Sequence, residues 1–472
     1  MTAATDPGPR LVIIGGGVTG LAAAWEASRR GVSVTVLEAS TRFGGKVRTS
    51  ALDLPTGPLV VDEGADNFLA RVPDAVELCV ELGLGDQLTQ PAVGRAAVWS
   101  AGALRPYPAR HVLGVPLDVD DLAATGMVSD AALQRVAEEP ERFAGTDAPG
   151  ADVSIGTHLR DRLGDEVVDH VVGPLVGGIN AGDIDELSLR AVTPQLAAAV
   201  ADGGSLIDAL RRRVDGAPTQ GPVFRALIGG TETLVDELVD QLRARGAELR
   251  TDAAVAGIRS VAGGRSTDGV DVALADGTTI DADAVVLAVP APVGAEVLVE
   301  ASPRTAAELR RIVHVPVAFT TFALPRHLVA LPDDLSGVLV PRDAGRLMTA
   351  VSFGSSKWPQ WDDGTHVILR VAAGHRHDDR PSSLDDDELI TALQAEMSEV
   401  LGISATPVAA RVTRWSPGFA QYAVGHLELL ERTRSALDDD LPAVRLAGAD
   451  LGGLGIPACI AQGRTAVRDL LA

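Results

Sequence analysis

Cysteine is scarce in this sequence. Two residues, Cys79 and Cys459, among 472 are too few and too far apart for a disulfide framework or a cysteine zinc site. Both are expected to be small buried hydrophobes in a reduced compartment. Long apolar runs are also missing: nothing approaches the roughly 20 residues that a membrane-spanning helix needs. The stretch Met1-Thr2-Ala3-Ala4-Thr5-Asp6-Pro7 lacks the basic and apolar segments of a secretion signal. The expectation is a cytoplasmic protein, peripheral to a membrane at most. Positive charge is short too, with Lys+Arg 41 against Asp+Glu 64 and a net charge of -23, so nucleic acid and anionic lipid are repelled. Lysine itself is nearly absent: only Lys46 and Lys357 occur, and the remaining 39 (41 minus 2) basic residues are arginine. What is present is a globular composition, 46% hydrophobic and 22% charged, at a length suited to two or three compact domains.

Arg10-Leu11-Val12-Ile13-Ile14 reads as a buried parallel strand. It runs into Gly15-Gly16-Gly17-Val18-Thr19-Gly20, which satisfies G-x-G-x-x-G. An alanine-rich helix is expected from Leu21 to Arg30, with Gly31 as its stop, and Val32 to Leu37 reads as a second strand ending at Glu38. Glycine-rich turns are common by themselves; strand, turn, helix, strand and acid in this order form the dinucleotide fingerprint in its required context. Gly15 permits the tight turn, Gly17 the approach of a pyrophosphate to the backbone, and Gly20 close packing of helix on strand. The free N–H groups of the helix N-terminus face the anion, and Glu38 is expected to accept the ribose hydroxyls.

After Glu38 the chain continues Ala39-Ser40-Thr41-Arg42-Phe43-Gly44-Gly45-Lys46-Val47-Arg48-Thr49. This resembles the second signature of the monoamine oxidase and phytoene desaturase superfamily, and the resemblance implies FAD, held non-covalently. Gly44 and Gly45 allow a backbone turn against the cofactor, while Arg42 and Lys46 can offset diphosphate charge. A further block, Val61-Asp62-Glu63-Gly64-Ala65-Asp66-Asn67-Phe68-Leu69, resembles the one that superfamily members place beside the flavin ring. It is similar to the flavin-dependent protoporphyrinogen and coproporphyrinogen oxidases, as is Gly177-Gly178-Ile179-Asn180-Ala181-Gly182-Asp183-Ile184-Asp185-Glu186-Leu187-Ser188, the most discriminating motif in the chain.

The resemblance runs to the end of the sequence, through Phe224 to Leu234, Ser352 to Pro359, Trp415, Gln421 to His426, and Ala447-Gly448-Ala449-Asp450 to Gly455-Ile456-Pro457. It implies backbone contact of Val255 with the adenine end, and flavin contacts from Trp415, Gly448, Gly455, Ile456 and Pro457. It also implies an α/β fold: a Rossmann-like FAD-binding domain of the p-hydroxybenzoate hydroxylase/monoamine oxidase type, with an interleaved α+β substrate domain and a helical insertion domain. The FAD domain is expected to gather about 1–96, 223–292 and 410–472, with a helical cap at 97–222 over the active site and a substrate domain at 293–409. Breaks are expected at Pro140 and at Pro149-Gly150. Val255–Ile258 and Ala282–Pro290 are expected to return strands to the FAD domain. Val315–Leu324 and His366–Ala373 read as strands and Leu384–Leu401 as a helix, its acids Asp385–Glu388 at the dipole's positive end.

The resemblance implies oxidation of a porphyrinogen to a porphyrin. A flavin accepts hydride, so the protein need only bind, orient and shield the substrate. Dioxygen is the implied acceptor and hydrogen peroxide its product. No catalytic triad, paired carboxylates or metal set is expected; His375 and His377 are the closest histidine pair and no further ligand is suitably spaced. Substrate propionates call for arginine. Arg95 matches an arginine that family members use for this purpose, against the alternative of a solvated surface residue. Arg71 and Lys357 are further candidates with the same alternative, and Asn67 stands where many family members have serine. The soluble bacterial branch implies coproporphyrinogen III, with protoporphyrinogen IX the near alternative. An amine oxidase of the same fold and a non-enzymatic tetrapyrrole or carotenoid carrier are the other readings. Porphyrin photoreactivity makes a transient handover to a ferrochelatase plausible on pathway logic.

Overall fold

The computed structural model describes residues 9–472 apart from 202, 217–220 and 263–267; the N-terminal segment read above for a secretion signal lies outside the described residues. A five-stranded parallel sheet runs in the order Glu248–Arg250, Ser33–Leu37, Arg10–Ile14, Ala284–Leu287, Val444–Leu446. Its centre is Arg10–Ile14, as the unbroken apolar run implies. Leu11 and Ile13 join one core with Leu21–Ala24 of the first helix (Val18–Arg29) and Ile460 and Val467 of the closing helix (Ile456–Leu470). Val12 and Ile14 join a second core on the opposite face. Val255–Ile258 does not enter this sheet; it opens a three-stranded antiparallel unit of Val255–Ala262, Asp268–Leu274 and Thr279–Ala282. The parallel strand is Glu248–Arg250, three residues long and too short to show a period of its own.

A second, seven-stranded sheet has the order Ala409–Ala420, His314–Pro325, His366–Ala373, Met348–Phe353, Leu335–Leu339, Arg95–Ser100, Ala103–Pro106. Side chains alternate between its faces. Ala318, Phe322, Leu324, Leu369, Val371 and Phe353 form one core with Leu389, Leu393 and Met397 of the helix Asp386–Leu401. Ala323 and Ile368 turn the other way, onto Leu52, Leu54 and Val61 of the hairpin Thr49–Leu54/Gly57–Asp62. Arg370 shares that second face, two residues from Ile368, and so points at the block that follows the hairpin. The sheet draws strands from three of the expected blocks, because Arg95–Ser100 pairs in parallel with Leu335–Leu339 and Ala409–Ala420 pairs with His314–Pro325.

The helix Asp386–Leu401 starts at a capping box. Asp385 Oδ1 accepts from Glu388 N at 2.9 Å, and Glu388 Oε2 accepts from Asp385 N at 3.0 Å. Asp385→Ala is expected to cost about 1 kcal/mol, read as a lower urea midpoint with unchanged slope.

Between the sheets' segments lies a helical module whose core includes Leu122, Val136, Leu159, Val168, Leu206 and Leu210. Pro140, expected to break a helix, instead sits inside Asp130–Arg142. Its neighbour Glu139 is fully buried and held by Arg162 Nη1 at 2.7 Å, Ser205 Oγ at 2.6 Å and Leu206 N at 2.9 Å, which pins the turn around the proline. Among the described residues, no helix is long and apolar enough to cross a membrane.

Candidate functional site

The two glycine segments near the N-terminus close on each other. Gly44 N donates to Gly16 O at 2.8 Å, and Gly17 bridges Gly44 in parallel. Gly15 has φ +107°, and a Cβ there would lie 2.3 Å from the carbonyl oxygen of Ala288, so only glycine fits. Gly17 is different: it caps the first helix with no side-chain bond, and nothing lies within 4 Å of where its Cβ would be. Val18 and Thr19 open the helix, and Gly20 packs it against the turn. The Glu38 carboxylate is fixed in advance, accepting from Gly16 N and from Ser40 N, both at 2.8 Å, with Ala39 exposed beside it. Asp252 N and Ala253 N donate to Ser40 O and Glu38 O, which carries the chain to Val255 at this end of the cradle.

Arg42 and Lys46 are less free than their expected role implies. Arg42 donates to the carbonyls of Phe43, Val47 and Gly45 and stands 3.3 Å from Glu232, so it braces the glycine turn. Lys46 Nζ donates to Gly418 O at 2.5 Å and thereby ties the turn to the seven-stranded sheet.

The closing segment supplies the opposite wall. Gly448 has φ +146° with open space in front of it, and Gly455 caps the closing helix without a side-chain bond, followed by Ile456 and Pro457. Beside them Gln462 Nε2 is buried with no partner. Asp450 accepts from His314 Nε2 at 2.8 Å and Ala291 N at 2.5 Å. Burial would raise its pKa, but His314 and the Ala291 amide hold it below the usual carboxylate value. Tyr422 donates from its hydroxyl to Ala449 O, accepts from Gly453 N at 2.8 Å and stacks on His426 at 4.1 Å. Two uncapped helix N-termini, open glycine backbones and an orphaned amide fit a dinucleotide with its diphosphate.

Between these walls lies Gly64-Ala65-Asp66-Asn67. A Cβ on Gly64 would be 2.1 Å from Lys46 O and 3.3 Å from the Trp415 ring, and Trp415 Nε1 donates to Glu63 O at 3.4 Å. The buried Asp66 carboxylate gathers Asn67 Nδ2 at 2.6 Å, Trp358 Nε1 at 2.9 Å, Lys357 Nζ at 3.4 Å and Arg370 Nη2 at 3.5 Å. Burial pushes its pKa up; Lys357 and Arg370 outweigh that and hold it well below the usual carboxylate range. Arg370 also donates to Gly64 O at 2.8 Å and stacks its guanidinium on Phe319 at 4.9 Å. Sequence reading passed over Arg370, although one charge inside the apolar run His366–Ala373 was a visible signal.

A small open cleft, with an enclosed volume of about 20 Å3, lies between the helix Gly173–Asn180 and the seven-stranded sheet. Gly177, Gly178, Ala181 and Gly182 form its helical wall, and Arg342, Arg346, Met348 and His375 the sheet side. The discriminating motif of the sequence therefore lines the cavity. Arg95 and Arg71 do not line it: Arg95 begins the strand next to the edge strand Ala103–Pro106, with 66% of its side chain exposed, and pairs with Asp334 at 2.8 Å, and Arg71 is an exposed residue after the strand Phe68–Leu69. Asp183, Glu186 and His377 come together, but Asp183 is paired with Arg342 and Glu186 with Arg376 and His377, which describes an ion-pair clasp.

Residues 18–471 match the family of flavin containing amine oxidoreductases. The coproporphyrinogen III oxidase of Bacillus subtilis (strain 168) is 32% identical over 480 residues, covering 99% of this chain and 99% of that protein. That of Mycobacterium tuberculosis (strain ATCC 25618 / H37Rv) is 34% identical over 465 residues, covering 97% and 96%. Among solved structures, a protein from Exiguobacterium sp. 255-15, provisionally named a protoporphyrinogen oxidase, superposes with TM-score 0.85 at 29% identity and covers 98% of this chain and 99% of that one.

Proposed function

The chain belongs to the flavin-containing amine oxidoreductase family, and from that premise we propose that it oxidises coproporphyrinogen III to coproporphyrin III in haem synthesis. The observation that carries the reading is the cavity itself, whose helical wall is built by the run Gly177–Gly182 and whose sheet side presents arginines. Full-length similarity to coproporphyrinogen III oxidases supports it.

FAD is the cofactor in this reading and would supply the hydride acceptor for a six-electron oxidation of the macrocycle, with dioxygen as terminal acceptor and hydrogen peroxide as its product. Gly15–Gly20 with Gly44 and Gly45 would hold the diphosphate, in a turn that Arg42 and Lys46 brace. Glu38 and Ala39 receive the adenosine ribose and Val255 the adenine. Gly64–Asn67, Trp415, Gly448, Gly455, Ile456 and Pro457 surround the flavin end. The attachment is non-covalent, supported by the state of both cysteines: burial pushes the Cys79 thiol up to about 12 and the Cys459 thiol up to about 11, far from a reactive thiolate. Asp66 keeps Lys357 and Arg370 fixed beside the ring. The helix Gly173–Asn180 covers the substrate and keeps water from it. Product passes to a ferrochelatase in a transient complex.

The test is aerobic turnover of FAD-loaded protein on coproporphyrinogen III, protoporphyrinogen IX and simple amines in parallel, following porphyrin fluorescence and peroxide. Preference for the first with about three peroxides per porphyrin is expected. Efficient oxidation of protoporphyrinogen IX with hardly any of coproporphyrinogen III would move the chain to the neighbouring substrate, and amine turnover alone would remove the porphyrinogen reading.

A further inference from the structure

The cavity carries a charge that the rest of the chain does not. Overall there are 64 Asp+Glu against 41 Lys+Arg, yet the lining contains Arg342 and Arg346 and no carboxylate. An acidic chain repels an anionic ligand at long range, and a lining that presents two guanidinium groups with their partner acids set behind them offsets that repulsion locally.

Both arginines are held from behind. Arg342 Nη1 pairs with Asp183 at 2.7 Å, on the loop that follows the cavity's helical wall. Arg346 Nη1 pairs with Glu399 at 2.8 Å, its guanidinium lies 4.4 Å over the Trp99 ring, and only 16% of its side chain is exposed. Its Nε is buried and has no hydrogen-bond partner among the described residues. A guanidinium offers five N–H donors in a fixed fork, so each of these rigid side chains keeps donors beyond those its anchoring acid takes. The opposite wall is Gly177, Gly178 and Gly182, whose missing side chains would meet Gly182 O, Leu339 and the Leu187–Gln421 pair, so this wall brings no charge of its own. The sheet side alone thus offers donors to a carboxylate.

We propose that Arg342 and Arg346 form the carboxylate subsite of this cleft, binding the propionates of coproporphyrinogen III that are vinyl groups in protoporphyrinogen IX, and so favouring a tetracarboxylate over a dicarboxylate. This rests on the porphyrinogen reading above. A guanidinium–carboxylate bond of this kind separates ligands by about tenfold to a hundredfold.

The experiment is equilibrium titration of the FAD-loaded protein with coproporphyrin III and, separately, protoporphyrin IX, followed by quenching of porphyrin fluorescence. Arg342→Gln and Arg346→Gln are compared with wild type and with Arg310→Gln, whose exposed pair with Glu296 lies outside the lining. Each lining variant is expected to weaken coproporphyrin III binding by about tenfold to a hundredfold, and protoporphyrin IX binding by about threefold or less. Arg342→Lys and Arg346→Lys keep the charge that holds Asp183 and Glu399 but lose the fork, so they fold if the ion pairs are what folding needs, and intermediate affinity is expected. Unchanged coproporphyrin III affinity in the lining variants, or equal losses for both porphyrins, overturns the subsite while leaving the porphyrinogen reading in place. A wild-type protein that binds neither porphyrin removes that reading, and the subsite with it.

Discussion

Gly17→Ala is expected to yield a folded chain that no longer retains its cofactor. The backbone at this position is extended, φ -72° and ψ 176°, a conformation that alanine adopts freely, and nothing of the protein lies within 4 Å of the new methyl group. The methyl would instead stand in front of the free amides at the N-terminus of the first helix, where the diphosphate must approach. Loss of two charge-assisted amide bonds amounts to a weakening of about a hundredfold or more. Flavin absorbance per chain after gel filtration should collapse, while the far-ultraviolet dichroism of the apoprotein matches that of stripped wild type. Gly15→Ala is the contrast. With φ +107° and the Ala288 carbonyl 2.3 Å from the Cβ, it should yield little folded protein at all. Stoichiometric flavin in Gly17→Ala would mean that the phosphates sit elsewhere.

Asp66→Ala should be the most damaging change outside the glycine turn. It leaves Lys357 and Arg370 facing each other with no anion between them, and breaking one side of a buried ion pair typically costs about 3–5 kcal/mol. The same carboxylate sets an acid limit. Its pKa is lowered on folding, so its stabilisation is fully present above the unfolded value of about 3.9 and drains away as pH falls through the lower folded value. The gap in denaturation midpoint between wild type and Asp66→Ala should therefore be constant around neutrality and shrink below about pH 4. A loss of less than about 1 kcal/mol at neutral pH would show that water replaces the carboxylate for both cations, contrary to the packing described.

Legibility followed the range of the interactions. Arg10–Ile14 and His366–Ala373 coincide with their observed strands, and Asp385–Glu388 with a capping box, because each is decided by neighbours in sequence. The glycine turn was readable for the same reason. Pairing between distant segments was not: nothing near Arg95 announces that it begins a strand parallel to Leu335–Leu339, and at the exposed start of that strand its side chain meets Asp334 rather than the cleft. The run Gly177–Gly182 was recognised by likeness and proves to be a cavity wall. Arg342 and Arg346 were two among 39 arginines (41 minus 2 lysines), and only the folded arrangement separates them from the rest.

The order of strands in the parallel sheet also bears on how the protein is born. Arg10–Ile14 lies at its centre, yet the neighbouring strand Ala284–Leu287 and the edge strand Val444–Leu446 come far later in the chain. A ribosome adding about 5–20 residues per second takes roughly 20 to 90 s to pass from the first of these strands to the last. Throughout that interval Leu21–Ala24 lack the closing helix that covers them, so the nascent chain carries a bare apolar helix and unpaired strand edges. In the reading proposed above, its cofactor site would be complete only once Gly455–Pro457 have left the exit tunnel.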